Sequence, residues 1–292
     1  MRIKKTVLAL VLVIALIPAS AAFAEDDPVG TAAMMGLGMG ARALGMGGAH
    51  IAVADDASII YYNPAGLGVV DGISVTSLYT NQYGAAGYLA LGGVARHIGA
   101  GILRLDASGI EETDEFANEI GTFGVASTAV MAGYGMTVMP NLSVGAAVKY
   151  YQETLPENSG KGFTADMGVL YSMADDKIRV GAVGRNLFGK VAYSSGAEDA
   201  FDRAFGLGVA FEPMENLLVA ADAVMDNGFS GKVGAEYRFR QMALRAGGSF
   251  GGNGTCLTAG AGFGVATFNI DYAYQHHSTL PDSHRLSLGM KF

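Results

Sequence analysis

A single cysteine, Cys256, stands in a chain of 292 residues. No internal disulfide can form, and a buried or half-buried free thiol is expected. Basic residues are scarce, with 19 Lys plus Arg against 27 Asp plus Glu. Nucleic acid, which calls for a basic stripe, is therefore disfavoured as a partner. After residue 24 no apolar run is long enough to cross a bilayer as a helix, which takes about 20 residues. Catalytic signatures are lacking too: no Ser-His-Asp, H-E-x-x-H or phosphate-loop pattern stands out. The chain is expected to be non-enzymatic, with no catalytic residues and no cofactor.

What is present begins with a leader. Arg2, Lys4 and Lys5 precede an apolar core over 7–17 and then Ala22-Phe23-Ala24, the pattern of a cleaved secretory signal peptide over 1–24. The exported chain would start at Glu25, with 16 Lys plus Arg left against 27 Asp plus Glu. Half of all residues are hydrophobic and 43 are glycine. An exported, apolar chain without membrane helices either buries its apolar surface in a soluble core or faces lipid as a closed barrel, where every backbone group is paired.

Periodicity decides between these. In 266–275, Phe268, Ile270, Tyr272 and Tyr274 alternate with Thr267, Asn269, Asp271 and Gln275. The same period of two returns in 142–151, 163–172 and 232–240, with glycine and charge on one face and apolar or aromatic residues on the other. Candidate strands fall at 73–80, 86–95, 98–106, 122–138, 142–153, 162–172, 178–187, 202–211, 217–226, 229–239, 242–250, 256–264, 266–275 and 285–292. The expected fold is an all-β transmembrane antiparallel barrel of about fourteen strands over 71–292. Its apolar face would meet the lipid bilayer and its polar face the lumen. Tight connections at 96–97, 139–141, 174–177, 213–216, 240–241 and 265–266 alternate with mostly longer ones, including 107–121, 154–161, 188–201 and 276–284. The tight set is expected on the periplasmic side and the longer set outside.

Ahead of the strands lies GARALGMGGAHIAVADDASIIYYNPAGLG, residues 40–68. Its glycines allow close backbone approach. Asp55-Asp56-Ala57-Ser58 offers an N-cap ahead of Ile59, and Asn63-Pro64-Ala65-Gly66 is turn chemistry. It is too apolar for a flexible linker. The GARALGMGGA and A-DDAS…YYNPAGL runs resemble the N-terminal signature of PorV/PorQ-like outer membrane proteins, which belong with the FadL-like long-chain fatty acid transporters. The resemblance implies that 25–70 folds into the lumen as a plug (hatch). It also implies an outer membrane location and passage or capture of hydrophobic small molecules such as fatty acids. The alternative is a structural or interaction component of a protein secretion or surface-attachment system. Arg42, Asp55, Asp56, Asn63, Pro64, Ala65 and Gly66 would line the plug and ligand path, with the Asn63–Gly66 turn as its mobile part.

Alternation places Lys149, Asp166, Arg179, Arg185, Asp222, Lys232, Glu236, Arg238, Arg245 and Asp271 in the lumen. They are expected to pair with one another and with Arg42, Asp55 and Asp56, since a buried charge needs a partner. Phe292 ends the last strand, as in barrels whose terminal strand is read by the barrel-assembly machinery. His276, His277 and His284 cluster in sequence, but neighbours on an extended segment point apart, so no metal is expected there. The acidic run Glu111, Glu112, Asp114, Glu115 and Glu119 lacks the spacing of a calcium loop and reads as a solvated loop.

Overall fold

Residues 31–292, apart from 83, 227, 252 and 253, are described by a computed structural model. The leader and the start expected at Glu25 lie outside the described residues. Sixteen strands follow the N-terminal segment: β1 Ile73–Gln82, β2 Ala86–Ala95, β3 Ile98–Thr113, β4 Glu119–Met139, β5 Leu142–Leu155, β6 Asn158–Met173, β7 Ile178–Arg185, β8 Lys190–Tyr193, β9 Glu198–Ala200, β10 Ala204–Met214, β11 Leu217–Met225, β12 Phe229–Phe239, β13 Met242–Gly251, β14 Gly254–Val265, β15 Phe268–His277 and β16 Ser283–Lys291. Fourteen of them close a ring of antiparallel neighbours, sealed where β1 pairs β16 and where β5 pairs β6. The remaining two, β8 and β9, form a side hairpin hung on β6 beyond the end of β7.

Closure leaves the ring itself no edge strand and satisfies its backbone in lipid. At the seam, the Phe292 N–H donates to the Ile73 carbonyl at 2.8 Å and the Ile73 N–H returns a bond to the Phe292 carbonyl at 3.2 Å. The outer face carries a continuous band of exposed large apolar side chains, among them Val148 (61%), Leu207 (64%) and Phe268 (59%). Soluble proteins rarely leave an apolar band this wide uncovered, and the closed antiparallel barrel makes this face the lipid-facing one.

The tight connections all fall at one rim. At Arg96-His97 a two-residue loop joins the paired Ala95 and Ile98, with φ of 46° and 75°. Positive φ at both central residues is what a hairpin matching strand twist requires, although neither residue favours it. At the opposite rim two expected loops prove to be strand. The arms of β3 and β4 stay paired as far as Thr113 and Glu119, and β5 and β6 stay paired to Leu155 and Asn158. The segments 107–121 and 154–161 are therefore projecting hairpins rather than loops. Asp114 closes the first, accepting from the N–H groups of Phe116 at 2.8 Å and Asn118 at 2.9 Å. The expected loop 188–201 contains β8 and β9. Strand 15 begins at Phe268, because Ala266 with φ 53° belongs to the turn.

Inside the ring lies the N-terminal segment: a 3-10 turn Ala33–Gly36, a helical turn Ala41–Gly45, another at Ile59–Tyr62 and a 3-10 turn Pro64–Gly68. Met39, Met46, Ile51, Ile59, Ile60 and Leu67 are buried there and form the core. The apolar content that looked wrong for a linker is thus covered by the barrel's inner wall.

Candidate functional site

Such short helices leave many of their own backbone groups without an intrahelical partner. Side chains of the wall and of the plug itself serve instead. Ser287 Oγ accepts from the Ala41 N–H at 2.7 Å. Thr258 Oγ1 accepts from the Gly47 N–H and donates to the Gly45 carbonyl, both at 3.0 Å. Asp222 Oδ2 accepts from the N–H groups of His50 at 2.7 Å and Ile51 at 3.0 Å. Tyr88 donates from β2 to the Gly38 carbonyl at 2.8 Å. Within the plug, Tyr61 Oη accepts from the Gly38 N–H at 3.0 Å and donates to the Met35 carbonyl at 2.8 Å.

Close approach is set by glycines on the wall's inner face. A Cβ on Gly234 or Gly247 would run into Met46, and one on Gly145 into Pro64 and Ala65. One on Gly168 would strike Asn63 Oδ1. Asn63, fully buried, caps the Pro64–Gly68 turn by accepting from the Ala65 N–H at 3.1 Å. Its Nδ2 donates to the carbonyls of Ile51 at 3.0 Å and of Val169 on β6 at 3.2 Å. Pro64, Ala65 and Gly66 are buried with it. The turn expected to be mobile is thus packed and bonded to the wall in this conformation.

The charges assemble near the rim of tight turns. Arg42 Nη1 donates to Asp55 Oδ1 at 2.5 Å and Asp56 Oδ2 at 2.7 Å, and Nη2 donates to Asp55 Oδ2 and Glu236 Oε1, both at 2.9 Å. Its Nε donates to Glu236 Oε2 at 2.8 Å. Arg245 then bridges Glu236 at 2.6 Å and Asp271 at 2.7 Å, and Arg238 reaches Asp55 at 3.2 Å. Plug and wall charges alternate in one network, as bidentate guanidinium geometry allows. Burial by itself would raise the Asp55 carboxyl, but Arg42, helped by Arg238, holds it down at about 2. Asp56 is likewise held well below the carboxylate range, against the cost of burial, by the facing His50 ring and Arg42. The expected N-cap takes a different form. Ser58 makes no side-chain cap bond to the helix, and Asp56 Oδ1 instead accepts from the Ser58 N–H at 2.8 Å and Oγ at 2.5 Å.

Six expected lumenal charges do not join this network. Lys149 pairs with Asp166 at 2.6 Å, and Arg179 with Glu212 at 3.0 Å. Arg185 and Lys232 lie towards the opposite rim, where the buried Arg185 Nε makes no hydrogen bond. Asp222 was read as a charge partner; its Oδ2 binds plug backbone, while Lys232 is its cross-strand neighbour. Ser287, Thr258 and Tyr88 were missed. Parity places Ser287 and Thr258 inside, but only the folded plug shows which backbone group each meets.

His50, Asp55 and Asp56 offer ligand atoms within 4.8 Å of one another. Arg42 already takes both oxygens of Asp55 and one of Asp56, while Ser58 takes the other. Those oxygens are not free for a cation. The sequence-clustered histidines do not converge: His276 Nδ1 meets Asp282 at 2.7 Å, His284 Nδ1 meets the Tyr272 hydroxyl at 2.7 Å, and His277 Nδ1 accepts from the Thr279 and Leu280 N–H groups.

Among the described residues, two hollows lie beside the plug and a third lies on the outer face of the wall. One of ≈ 480 Å³ at the tight-turn rim is lined by Arg42, Asp55, Arg238, Arg240 and Lys291. Towards the opposite rim, one of ≈ 360 Å³ is lined by Leu37, Leu44, Phe229, Phe250, Lys232 and Arg285. The largest, ≈ 1060 Å³, is almost wholly apolar and lies against the wall from β4 to β12, with Met167, Val169, Ala182, Phe205 and Leu207 in its lining. Gly145 and Gly168, the glycines that meet the plug turn from inside, also line it.

No protein-family model and no curated protein matches the chain. Solved structures do. The toluene transporter TodX of Pseudomonas putida is similar at TM-score 0.67 and 14% identity, over 87% of this chain and 99% of that one. A FadL homologue of Pseudomonas aeruginosa is similar at TM-score 0.59 and 12% identity, over 84% and 96%. At such identities the likeness establishes the fold, a plugged antiparallel barrel of fourteen strands.

Proposed function

We propose that the protein is a non-enzymatic outer membrane barrel of the FadL-like type, resembling PorV/PorQ members in its N-terminal signature, and that it passes hydrophobic small molecules. One observation carries this reading. At Gly145 and Gly168 the wall is a single glycine backbone thick between the plug turn and the apolar hollow on the lipid side. A ligand freed at Asn63–Ala65 would have little side-chain bulk between it and a water-free, apolar surface. The fold shared with TodX, a toluene transporter, and with a FadL homologue supports the same class of cargo.

On this reading the ligand enters at the rim of projecting hairpins and settles in the ≈ 360 Å³ hollow above the plug. Movement of the Asn63–Gly66 turn then opens the way to the wall. Carriage by the leader and the lipid-facing band support an outer membrane location, with assembly directed by the strand ending at Phe292.

The test is lipid extraction and mass spectrometry of protein purified from outer membranes, comparing the intact chain with a double variant, Asn63→Ala with Pro64→Ala. A bound apolar molecule whose occupancy changes in the variant is expected. Absence of any such molecule from both, with a second protein copurifying instead, would refute passage and favour a component of secretion or surface attachment.

A further inference from the structure

Away from the charged anchor of the plug, three polar side chains meet at the upper end of β5, β6 and β7. Lys149 and Asp166 are both buried, at 3% and 0% side-chain exposure, with Nζ and Oδ2 2.6 Å apart. Asn186, the residue after β7, turns its side chain to them with a φ of 54°. Its Oδ1 lies 3.1 Å from Lys149 Nζ, and its N–H donates to Asp166 Oδ1 at 2.9 Å. The Asn186 Nδ2 donates to the Asp202 carbonyl at 3.0 Å, which holds the amide in place. Asp166 Oδ2 has no well-formed hydrogen bond despite its closeness to the amine, and Thr164 Oγ1, cross-strand from Lys149, has none either.

A dry site disfavours a separated ammonium and carboxylate. Transfer of one proton across the 2.6 Å contact turns them into a neutral amine and a carboxylic acid. The amine is then a nucleophile held beside a carboxamide, with a proton carrier in contact with it. Its distance of 3.1 Å to the amide oxygen leaves the amide carbon, about 1.2 Å from that oxygen, within a small side-chain rotation of the ~3–3.5 Å attack separation.

We propose that Lys149 and Asn186 condense into an intramolecular amide, with Asp166 carrying the proton. The bond from Nζ to the Asn186 Cγ forms as the bond from Cγ to Nδ2 breaks. Asp166, by then the acid, gives its proton to the leaving nitrogen, which departs as ammonia, and takes in its place the proton shed by the amine. A primary amine and a carboxamide thus give a secondary amide and ammonia, with no oxidant and no cofactor. The link ties the end of β7 to β5 across β6, at the place where β6 leaves β7 and pairs with β8 instead. β7 is the shortest ring strand, eight residues long, and the link fastens its end to the wall.

Peptide mapping tests this on the full chain. Protein extracted from outer membranes, shown to be folded by its heat-modifiable gel mobility, is digested after denaturation and examined by mass spectrometry. A branched peptide joining the Lys149 and Asn186 fragments, lighter than their sum by one ammonia, is expected from the wild type. It should be missing from Asn186→Ala and from Asp166→Asn. Linear peptides with unmodified Lys149 and Asn186 from the folded wild type would overturn the proposal, whatever the variants do. A branch to Asp166 lighter by one water would overturn it as well, and a link persisting in Asp166→Asn would remove Asp166 from its role.

Discussion

Replacing Arg42 by Met keeps the apolar stem and removes the charge. The guanidinium has 12% of its side chain exposed and binds three carboxylates, of which Glu236 is fully buried. Breaking a buried pair by removing one partner costs about 3–5 kcal/mol, because the other charge stays behind uncompensated. Arg238 and Arg245 still touch Glu236 at 2.7 and 2.6 Å, so the lower end, about 3 kcal/mol, applies. At 1.4 kcal/mol per tenfold, that shifts the balance between docked and undocked plug by roughly two orders of magnitude. The barrel wall, held by its own ladder, is expected to stay closed. Limited proteolysis should cut the variant before residue 70 at least tenfold faster while the 71–292 fragment keeps its heat-modifiable mobility. Equal cleavage rates for variant and wild type would refute the view that this network anchors the plug.

Acid should loosen the same anchor. Asp55 is held at about 2 in place, against ~3.9 for a free aspartate, so its contribution is complete above pH 4 and falls away as pH drops through about 2. Proteolysis of the plug followed from pH 7 downward should rise only below about pH 4, and a rise already complete above pH 5 would refute the role of Asp55. Gly145→Leu places a side chain against Pro64 and Ala65. It should raise single-channel conductance by displacing the plug turn, and unchanged conductance in a folded barrel would count against the close contact. Asp222→Ala strands the buried N–H groups of His50 and Ile51, at about 1–3 kcal/mol each, and should lower the temperature of the heat-modifiable transition. Val148→Arg, on the lipid face near the middle of β5, should destabilise insertion by about 2–4 kcal/mol. No loss in a bilayer refolding titration would mean that this face is not against lipid.

Much of the barrel is legible in the chain because a strand's side chains alternate with a fixed period. Fourteen ring strands, their parity and the rim of tight turns follow from which residues face lipid and which face the lumen. Asp271 between Ile270 and Tyr272, or Glu236 between Ala235 and Tyr237, has only one side on which a charge can sit. The projecting hairpin 107–121 escaped that reasoning because both its faces meet water, and 154–161 because the side chains of Val191 and Tyr193, which cover its Gly160, come from β8. With no apolar side to mark it, pairing there is decided by the backbone of the neighbouring strand.

The plug was legible as an apolar, glycine-rich piece that needs cover, and its charges as needing partners. Which partners they take depends on distances between segments far apart in sequence. Arg42 meets Glu236, but Arg179 meets Glu212 and Lys149 meets Asp166 and Asn186, because each can reach only what the curvature of the wall brings within a side chain's length. Asp222 shows the limit most plainly. Its inward direction follows from local alternation, whereas its use as an acceptor for plug N–H groups exists only once a short helix ends opposite it. Local period and composition determine the face on which a residue lies; closure of the ring around the plug decides what that residue touches.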